Sequence, residues 1–144
     1  MQEKEIRREK EKEWEAVFQK LLSELKSKDW LIRGMAATKL GGFEDPRTVD
    51  PLVEILSGDE SPFVRKSAAE SLGNLGGKTA GDALRKAKER EDNLIVLNSI
   101  DYSLENLKEE EPQNQFRVVS DEIRAITESG PKKPPKKRKA TLKS

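Results

Sequence analysis

The residues nearest to a recognisable chemical motif form the glycine-rich stretch Gly73-Asn74-Leu75-Gly76-Gly77-Lys78-Thr79. A phosphate-binding loop needs Gly-x4-Gly-Lys-Ser/Thr directly after a strand, because its backbone N–H groups cradle the phosphates. Counting back from Gly77 places Leu72 where the first glycine is required. The preceding residues also have the apolar spacing of a helix rather than a strand. The stretch therefore does not predict nucleotide binding.

The composition removes several other kinds of chemistry. The chain has no histidine and no cysteine, so the usual general base, the commonest metal ligand and the thiolate nucleophile are missing. We expect no enzymatic activity, no cofactor and no metal. No run approaches 18 apolar residues and no secretory signal precedes the body of the chain. These features favour an intracellular, cytoplasmic protein without a membrane span, or a nuclear one if the source is a eukaryote.

Positive charge is concentrated at the C-terminus. Residues 131–144 hold seven basic residues and no acid, which leaves 21 basic against 27 acidic residues in the rest of the chain. Like charges beside prolines predict disorder. A nuclear-import or partner signal, a sequence-independent phosphate contact and no specific role all stay open. The candidate residues are Lys132, Lys133, Lys136, Lys137, Arg138 and Lys139.

An internal repeat organises the chain. The stretch at 32–41, Ile-Arg-Gly-Met-Ala-Ala-Thr-Lys-Leu-Gly, is matched at 64–73 by Val-Arg-Lys-Ser-Ala-Ala-Glu-Ser-Leu-Gly. A fixed period of this size indicates a stack of helix pairs. A third copy around 95–107 is degenerate, with Leu97 in place of Arg33 and Arg65, as expected of a terminal cap.

Capping residues, prolines and glycines predict where the helices begin and end. Asp29 is expected to cap a helix over about 30–42, which Gly41-Gly42 ends because glycine accepts a positive φ. Asp45-Pro46 and Ser61-Pro62 are expected to open the next two helices, and a more polar helix covers about 79–90. The segment 116–127 predicts one more amphipathic helix, either the partner of the third copy or a separate docking helix.

Three sets of side chains receive structural interpretations. Arg33 and Arg65 are expected to form a ladder with the equally spaced Asp50 and Asp82, with a ligand-binding role as the alternative. The five aromatic residues considered are too few for a cage and are expected to pack in the core or between repeats: Trp14, Trp30, Phe43, Phe63 and Tyr102. The charged residues 1–13 are expected to extend the first helix as a solvated stalk, with a strip for a charge-matched partner as the alternative.

The pattern Ile/Val-Arg-x-x-Ala-Ala-x-x-Leu-Gly, followed by Asp-Pro-x-x-Val-x-Pro-Leu-x-x-x-Leu at 45–56, resembles the short HEAT-like repeats. Such repeats occur in phycobilisome-lyase-like HEAT proteins and in small archaeal and bacterial HEAT-repeat proteins. The resemblance covers roughly residues 14–108. It implies antiparallel helix pairs in a right-handed α-solenoid whose second helices line a concave face. It also implies protein–protein scaffolding, whereas no residue indicates a bilin site.

The predicted fold is an all-α solenoid of about three HEAT-like antiparallel helix pairs. The expected organisation is a charged helical extension at 1–13, the repeat domain at 14–128 and a disordered Lys/Pro-rich tail at 129–144. The expected function is a non-enzymatic protein-interaction scaffold, and the alternative is a nucleic-acid-associated protein whose tail contacts phosphate. The polar residues of the second helices that we expect to contact a protein partner are Arg47, Asp50, Glu54, Lys78, Asp82, Arg85 and Lys86.

Overall fold

The computed structural model describes residues 2–108, and within them it contains helices and no strands. The α-helices are α1 (Gln2–Glu24), α2 (Trp30–Leu40), α3 (Val49–Gly58), α4 (Pro62–Leu75), α5 (Lys78–Arg90) and α6 (Leu94–Glu105). A 3₁₀ turn, Pro46–Thr48, precedes α3. The predicted tail and the predicted helix 116–127 lie outside the described residues.

The helices stack in two layers. In one layer α2, α4 and α6 pack side by side, and in the other α3 packs beside α5. Each second helix also packs against the first helix of the following unit, as α3 does on α4 and α5 does on α6. Because α1 packs on α2 in the same way, it takes the place of a second helix before the first complete unit. The predicted all-α solenoid is confirmed.

Capping side chains begin the first helices at equal intervals. Asp29, Ser61 and Asn93 occupy the same position in successive repeats, and each accepts a hydrogen bond from a backbone N–H in the first turn of α2, α4 or α6. Such caps satisfy N–H groups that the helix itself leaves without partners. Asp45 likewise caps the 3₁₀ turn. The three predicted starts, at Asp29, Asp45 and Ser61, are confirmed.

Gly41 ends α2 as predicted, but it does so without the predicted positive φ. Gly41 has φ −64°, and Gly73 lies inside α4, so neither supplies a positive φ. Both instead allow close approach between units, because a Cβ on Gly41 would lie 2.6 Å from the Cβ of Ser71. A Cβ on Gly73 would lie at the same distance, 2.6 Å, from that of Ser103. Positive φ values fall instead on Gly76 at 75°, where α4 ends, and on Gly77 at 94°.

The core is one continuous and mostly aliphatic cluster that runs along the stack. Its largest fully buried side chains include Phe18, Leu52, Leu72, Leu84 and Ile100, contributed by α1, α3, α4, α5 and α6. Each unit buries too little surface to be stable alone, so the shared core joins neighbouring units into one folded body. This body fixes the outward side chains that could contact a partner.

Candidate interaction surfaces

The second helices expose two groups of polar side chains. Asp50 and Glu54 are exposed one turn apart on α3. On α5, Asp82 accepts hydrogen bonds from Lys78 and Arg85, both at 3.1 Å. The Lys78 hydrogen bond is the largest of the causes that hold the pKa of Asp82 below its ordinary value. The exposed Lys86 completes the set predicted on α5.

Arg47, also predicted to contact a partner, has a side chain that is 49% exposed and is fixed by contacts within the fold. Its guanidinium bonds Asp45 at 2.8 Å and Glu15 at 3.1 Å, and it lies 4.2 Å from the ring centroid of Phe18. The Asp45 hydrogen bond is the main cause of the raised pKa of Arg47. A cation over an aromatic face with two carboxylate partners is held in place. Arg47 therefore ties α1 to the turn before α3.

The predicted arginine ladder exists, but its predicted acids are wrong. Arg33 bonds the carboxylate of Asp59 at 2.8 and 3.0 Å. Arg65 bonds that of Glu91 at 2.9 and 2.8 Å. In an antiparallel pair the start of the first helix lies beside the end of the second. Asp59 and Glu91 directly follow α3 and α5, whereas Asp50 lies in the first turn of α3 and Asp82 in the second turn of α5, away from that end.

Each ladder arginine also reaches backwards along the chain. Arg33 donates to the carbonyl of Ser27 at 2.9 Å, and Arg65 donates to that of Asp59 at 2.9 Å. The two guanidiniums thus connect the α1–α2, α3–α4 and α5–α6 loops, which lie at the same edge of the stack. Because their hydrogen bonds are used within the fold, the structural interpretation is favoured over a ligand-binding role.

Most of the aromatic residues contact another ring. Trp14, Phe18 and Phe43 contact one another, with ring centroids 4.9 to 5.9 Å apart. Trp30 meets Phe63 edge to face at 5.2 Å, which is the predicted contact between units. Tyr102 is 67% exposed, so the predicted packing is wrong for it. Its equivalents one and two repeats earlier, Glu70 and Thr38, are exposed as well.

Sequence reasoning missed an exposed apolar surface at the starts of the first helices. Leu31, Phe63 and Ile95 occupy the same position in successive repeats and are 46%, 44% and 62% exposed. Two neighbours, Trp30 and Leu94, are also exposed. We call Trp30, Leu31, Phe63, Leu94 and Ile95 the apolar row. The sequence does carry a signal for this surface. A large apolar residue directly precedes Ile32, Val64 and Val96, at the start of each first helix.

Acidic side chains border the apolar row. The exposed Asp29, Glu60 and Asp92 stand one to three residues before its members. Asp59 and Glu91, by contrast, are bound by the ladder and are 6% exposed. The same loops also expose Lys28 and Arg90, so charges of both signs lie along the edge where the loops enter the helices.

Two features are absent from the described residues. Between residues 2 and 108 there is no group of three or more carboxylate, histidine or cysteine side chains placed to hold a metal ion. In the same range no helix has both the length and the apolar character needed to cross a membrane. The candidate tail residues from Lys132 to Lys139 lie outside the described part.

Comparison with known proteins identifies the architecture. A family profile for HEAT repeats matches residues 18–105. An epoxyqueuosine reductase of Bacillus cereus is 35% identical over 72 residues, which are 50% of this chain and 19% of the reductase. An epoxyqueuosine reductase of Bacillus anthracis is 33% identical over 72 residues, with the same coverage. The chain thus spans about a fifth of the length of these relatives. Because the profile covers more than half of the chain and the helices stack in the corresponding pairs, the chain belongs to the HEAT-repeat family.

Proposed function

We propose that this protein is a non-enzymatic interaction module whose apolar row binds a protein partner. The observation that carries the proposal is the position of Leu31, Phe63 and Ile95, exposed at the same place in three successive units. Contiguous exposed apolar area is uncommon on monomeric proteins and marks interaction sites. The row suits a partner that presents an apolar surface with charged side chains around it.

The carboxyl groups with shifted pKa values serve ion pairs within the fold and are not poised as general acids. Glu15, Asp82 and Glu91 have lowered pKa values, with hydrogen bonds from Arg47, Lys78 and Arg65 as the respective main causes. A general acid near neutral pH needs a carboxyl group whose pKa is raised. The similarity to the reductases covers a fifth of their length, so it gives no reason to assign their activity to this chain.

A variant pair separates the apolar row from the polar faces of the second helices. In Leu94→Glu/Ile95→Glu, two exposed side chains become acidic in the first turn of α6. The helix dipole stabilises negative charge at this end of a helix. The melting temperature should stay unchanged while binding is lost. The matched control, Asp50→Lys/Glu54→Lys, changes two exposed residues of α3 and should bind normally.

The measurement is affinity capture from the source organism with the unsubstituted chain and both variants. The main captured protein is then titrated in purified form against all three. A Kd weakened at least tenfold only by Leu94→Glu/Ile95→Glu supports the proposal. Weakening only by the α3 control would place the partner on the second helices and contradict it.

A second function rests on the charge of the tail. Seven basic residues without an acid in 131–144 can contact phosphate by releasing counterions, independently of sequence. The full chain should then bind random-sequence duplex DNA at low salt and release it as the salt concentration rises. A chain ending at residue 130 should bind much more weakly. No binding by the full chain at low salt would exclude this function.

A further inference from the structure

One end of the stack exposes side chains that the other units bury. Ile32 of α2 is 39% exposed, whereas its equivalents Val64 and Val96 are fully buried. Met35 is 48% exposed, although the residues at its position in the later first helices are buried. These residues are Ser67 and Ser99. Stacked repeats that end in solvent end in a polar face, so this apolar end is suited to contact with a further unit.

The opposite end of the stack is polar and carries negative charge. Tyr102 and Glu105 are exposed on α6, and their equivalents in α4 are Glu70 and Gly73. Both of these α4 residues contact the next first helix. Glu70 accepts a hydrogen bond from Ser99 at 3.2 Å, and Gly73 closely approaches α6. Tyr102 and Glu105 therefore lie on the face of α6 where a following first helix would pack.

The contacts between successive first helices keep a constant register. At both joints a glycine of one helix lies against a serine of the next, Gly41 against Ser71 and Gly73 against Ser103. Glu105 occupies the glycine position in α6, and Lys39 occupies the serine position in α2. If α2 of a second copy packed on α6 in this register, its Lys39 would therefore lie against Glu105. Its Met35 would lie against Tyr102, at the position of the hydrogen bond between α4 and α6.

The two pairs of residues are chemically matched. Lys39 and Glu105 are exposed and form no ion pair within residues 2–108. A joint between copies would bring their opposite charges together. The thioether of Met35 would pack on the ring of Tyr102, which is a favourable sulfur–aromatic contact. Because Met35 is 48% and Tyr102 67% exposed, the contact would also remove apolar area from water.

The joint between copies would be wider than the joints within the chain. Inside the chain, a Cβ on Gly73 would lie 2.6 Å from that of Ser103, so α4 and α6 pack nearly backbone to backbone. Glutamate and lysine at the equivalent positions hold two helices farther apart, and their long side chains span the larger gap. A joint with fewer close contacts implies reversible association that depends on protein concentration.

We propose that copies of this chain associate head to tail, with α2 of one copy packed on α6 of the next. Across this joint Lys39 pairs with Glu105, and Met35 packs on Tyr102. Such a contact is heterologous and leaves a free end on each terminal copy, so it builds open chains of increasing length. The interface goes beyond the proposed function, since it uses residues outside the apolar row and joins the chain to itself.

Sedimentation velocity of the full chain at low salt tests the association. The mean mass should rise with concentration up to about 0.5 mM and exceed that of a dimer. Lys39→Glu and Glu105→Lys should each weaken association at least about fivefold, because each places like charges across the joint. The control, Lys86→Glu, makes the same charge change at an exposed position of α5 and should associate normally. Since all three positions are exposed, the melting temperatures should stay unchanged.

An equimolar mixture of Lys39→Glu and Glu105→Lys gives the sharpest test. In alternating copies every joint again pairs opposite charges, so the mixture should associate as strongly as the unsubstituted chain. A mixture that associates no better than either variant alone would overturn the proposal. A full chain that stays monomeric at about 0.5 mM would do the same. A mass that stops at a dimer would reveal a closed, symmetric contact instead. Equal weakening by Lys86→Glu would show that association follows net charge and not this joint.

Discussion

Single residues carry the connection between successive units. Arg33 and Arg65 each hold a carbonyl of the preceding loop and a carboxylate of the following one. Bidentate guanidinium–carboxylate pairs are strong and directional, and removal of one partner leaves the other charge poorly solvated. The ladder therefore contributes to register as well as to stability.

Arg65→Ala should lower the free energy of unfolding by about 1–3 kcal/mol. The physical reason is that Glu91, whose side chain is 6% exposed, would keep its charge without the arginine. The matched control is Lys66→Ala, because Lys66 forms only an i,i+4 pair with Glu70. Its expected effect is below about 0.5 kcal/mol. Urea unfolding measures both, and equal midpoints for Arg65→Ala and the unsubstituted chain would contradict the ladder.

The Arg65–Glu91 pair should also make stability depend on pH in a defined direction. The hydrogen bond from Arg65 is the main cause that lowers the pKa of Glu91 below its ordinary value of 4.5. The stabilisation is therefore complete above pH 4.5 and is lost as the pH falls through the lower, folded-state value. The unsubstituted chain should be more stable than Glu91→Gln at pH 7, and the difference should shrink at pH 3. A difference that stayed constant would contradict the assignment.

At the scale of helices, small residues determine how closely the units approach. The hydroxyl of Ser71 donates to the carbonyl of Ala37 at 2.7 Å, and that of Ser103 donates to Ala69 at 3.1 Å. Gly41 and Gly73 lie against the same two serines. The first helices can therefore pack nearly backbone to backbone, which explains why glycine and alanine recur in the repeat.

Gly73→Ala should destabilise the protein by about 1–3 kcal/mol through overpacking, although alanine favours a helix more than glycine does. The new Cβ would lie 2.6 Å from the Cβ of Ser103 and 3.1 Å from its Cα, so a backbone would have to move. Gly58→Ala is the control, because no atom lies within 4 Å of the added Cβ. It should be neutral or stabilising by up to about 1 kcal/mol. Thermal unfolding compares them, and a stabilised Gly73→Ala would refute the close-contact interpretation.

Local signals in the sequence were sufficient for the helix starts and the stacking. Asp29, Asp45 and Ser61 act on neighbouring backbone groups, so their roles depend on a few adjacent residues. The role of Gly41 and the ladder partners depend on how two helices approach in space, which the repeat period alone does not determine. The repeat period is equally consistent with Asp50 or Asp59 as the partner of Arg33. Only the antiparallel arrangement of the two helices shows that the partner is Asp59.

The candidate surface was harder to predict than the fold. Phe63 and Ile95 look like core residues because a sequence records their apolar character but not their exposure. Their position at the very start of each first helix places them at the edge of the stack. Conversely, Arg47 looks like a surface residue, and only the three-dimensional contacts with Asp45, Glu15 and the Phe18 ring reveal its structural role.

The whole molecule presents its surfaces in repeated form. A stack of similar units displays each outward position several times in a line, which suits an extended contact with another macromolecule. Here the repeated outward position is apolar in three successive units, whereas the polar positions of α3 and α5 repeat only in part, since Asp50 is matched by Asp82 but Glu54 by Lys86. Protein binding is therefore expected to depend on the repeated apolar positions.

Hydrogen exchange of the full chain, free and saturated with its purified partner, tests this claim most directly. We expect slower exchange on binding at three equivalent places in the repeats, the first turns of α2, α4 and α6 that follow Asp29, Ser61 and Asn93. The exchange of α3 should remain unchanged. Protection confined to α3 and α5, or to residues 131–144, with the three helix starts unaffected, would contradict it.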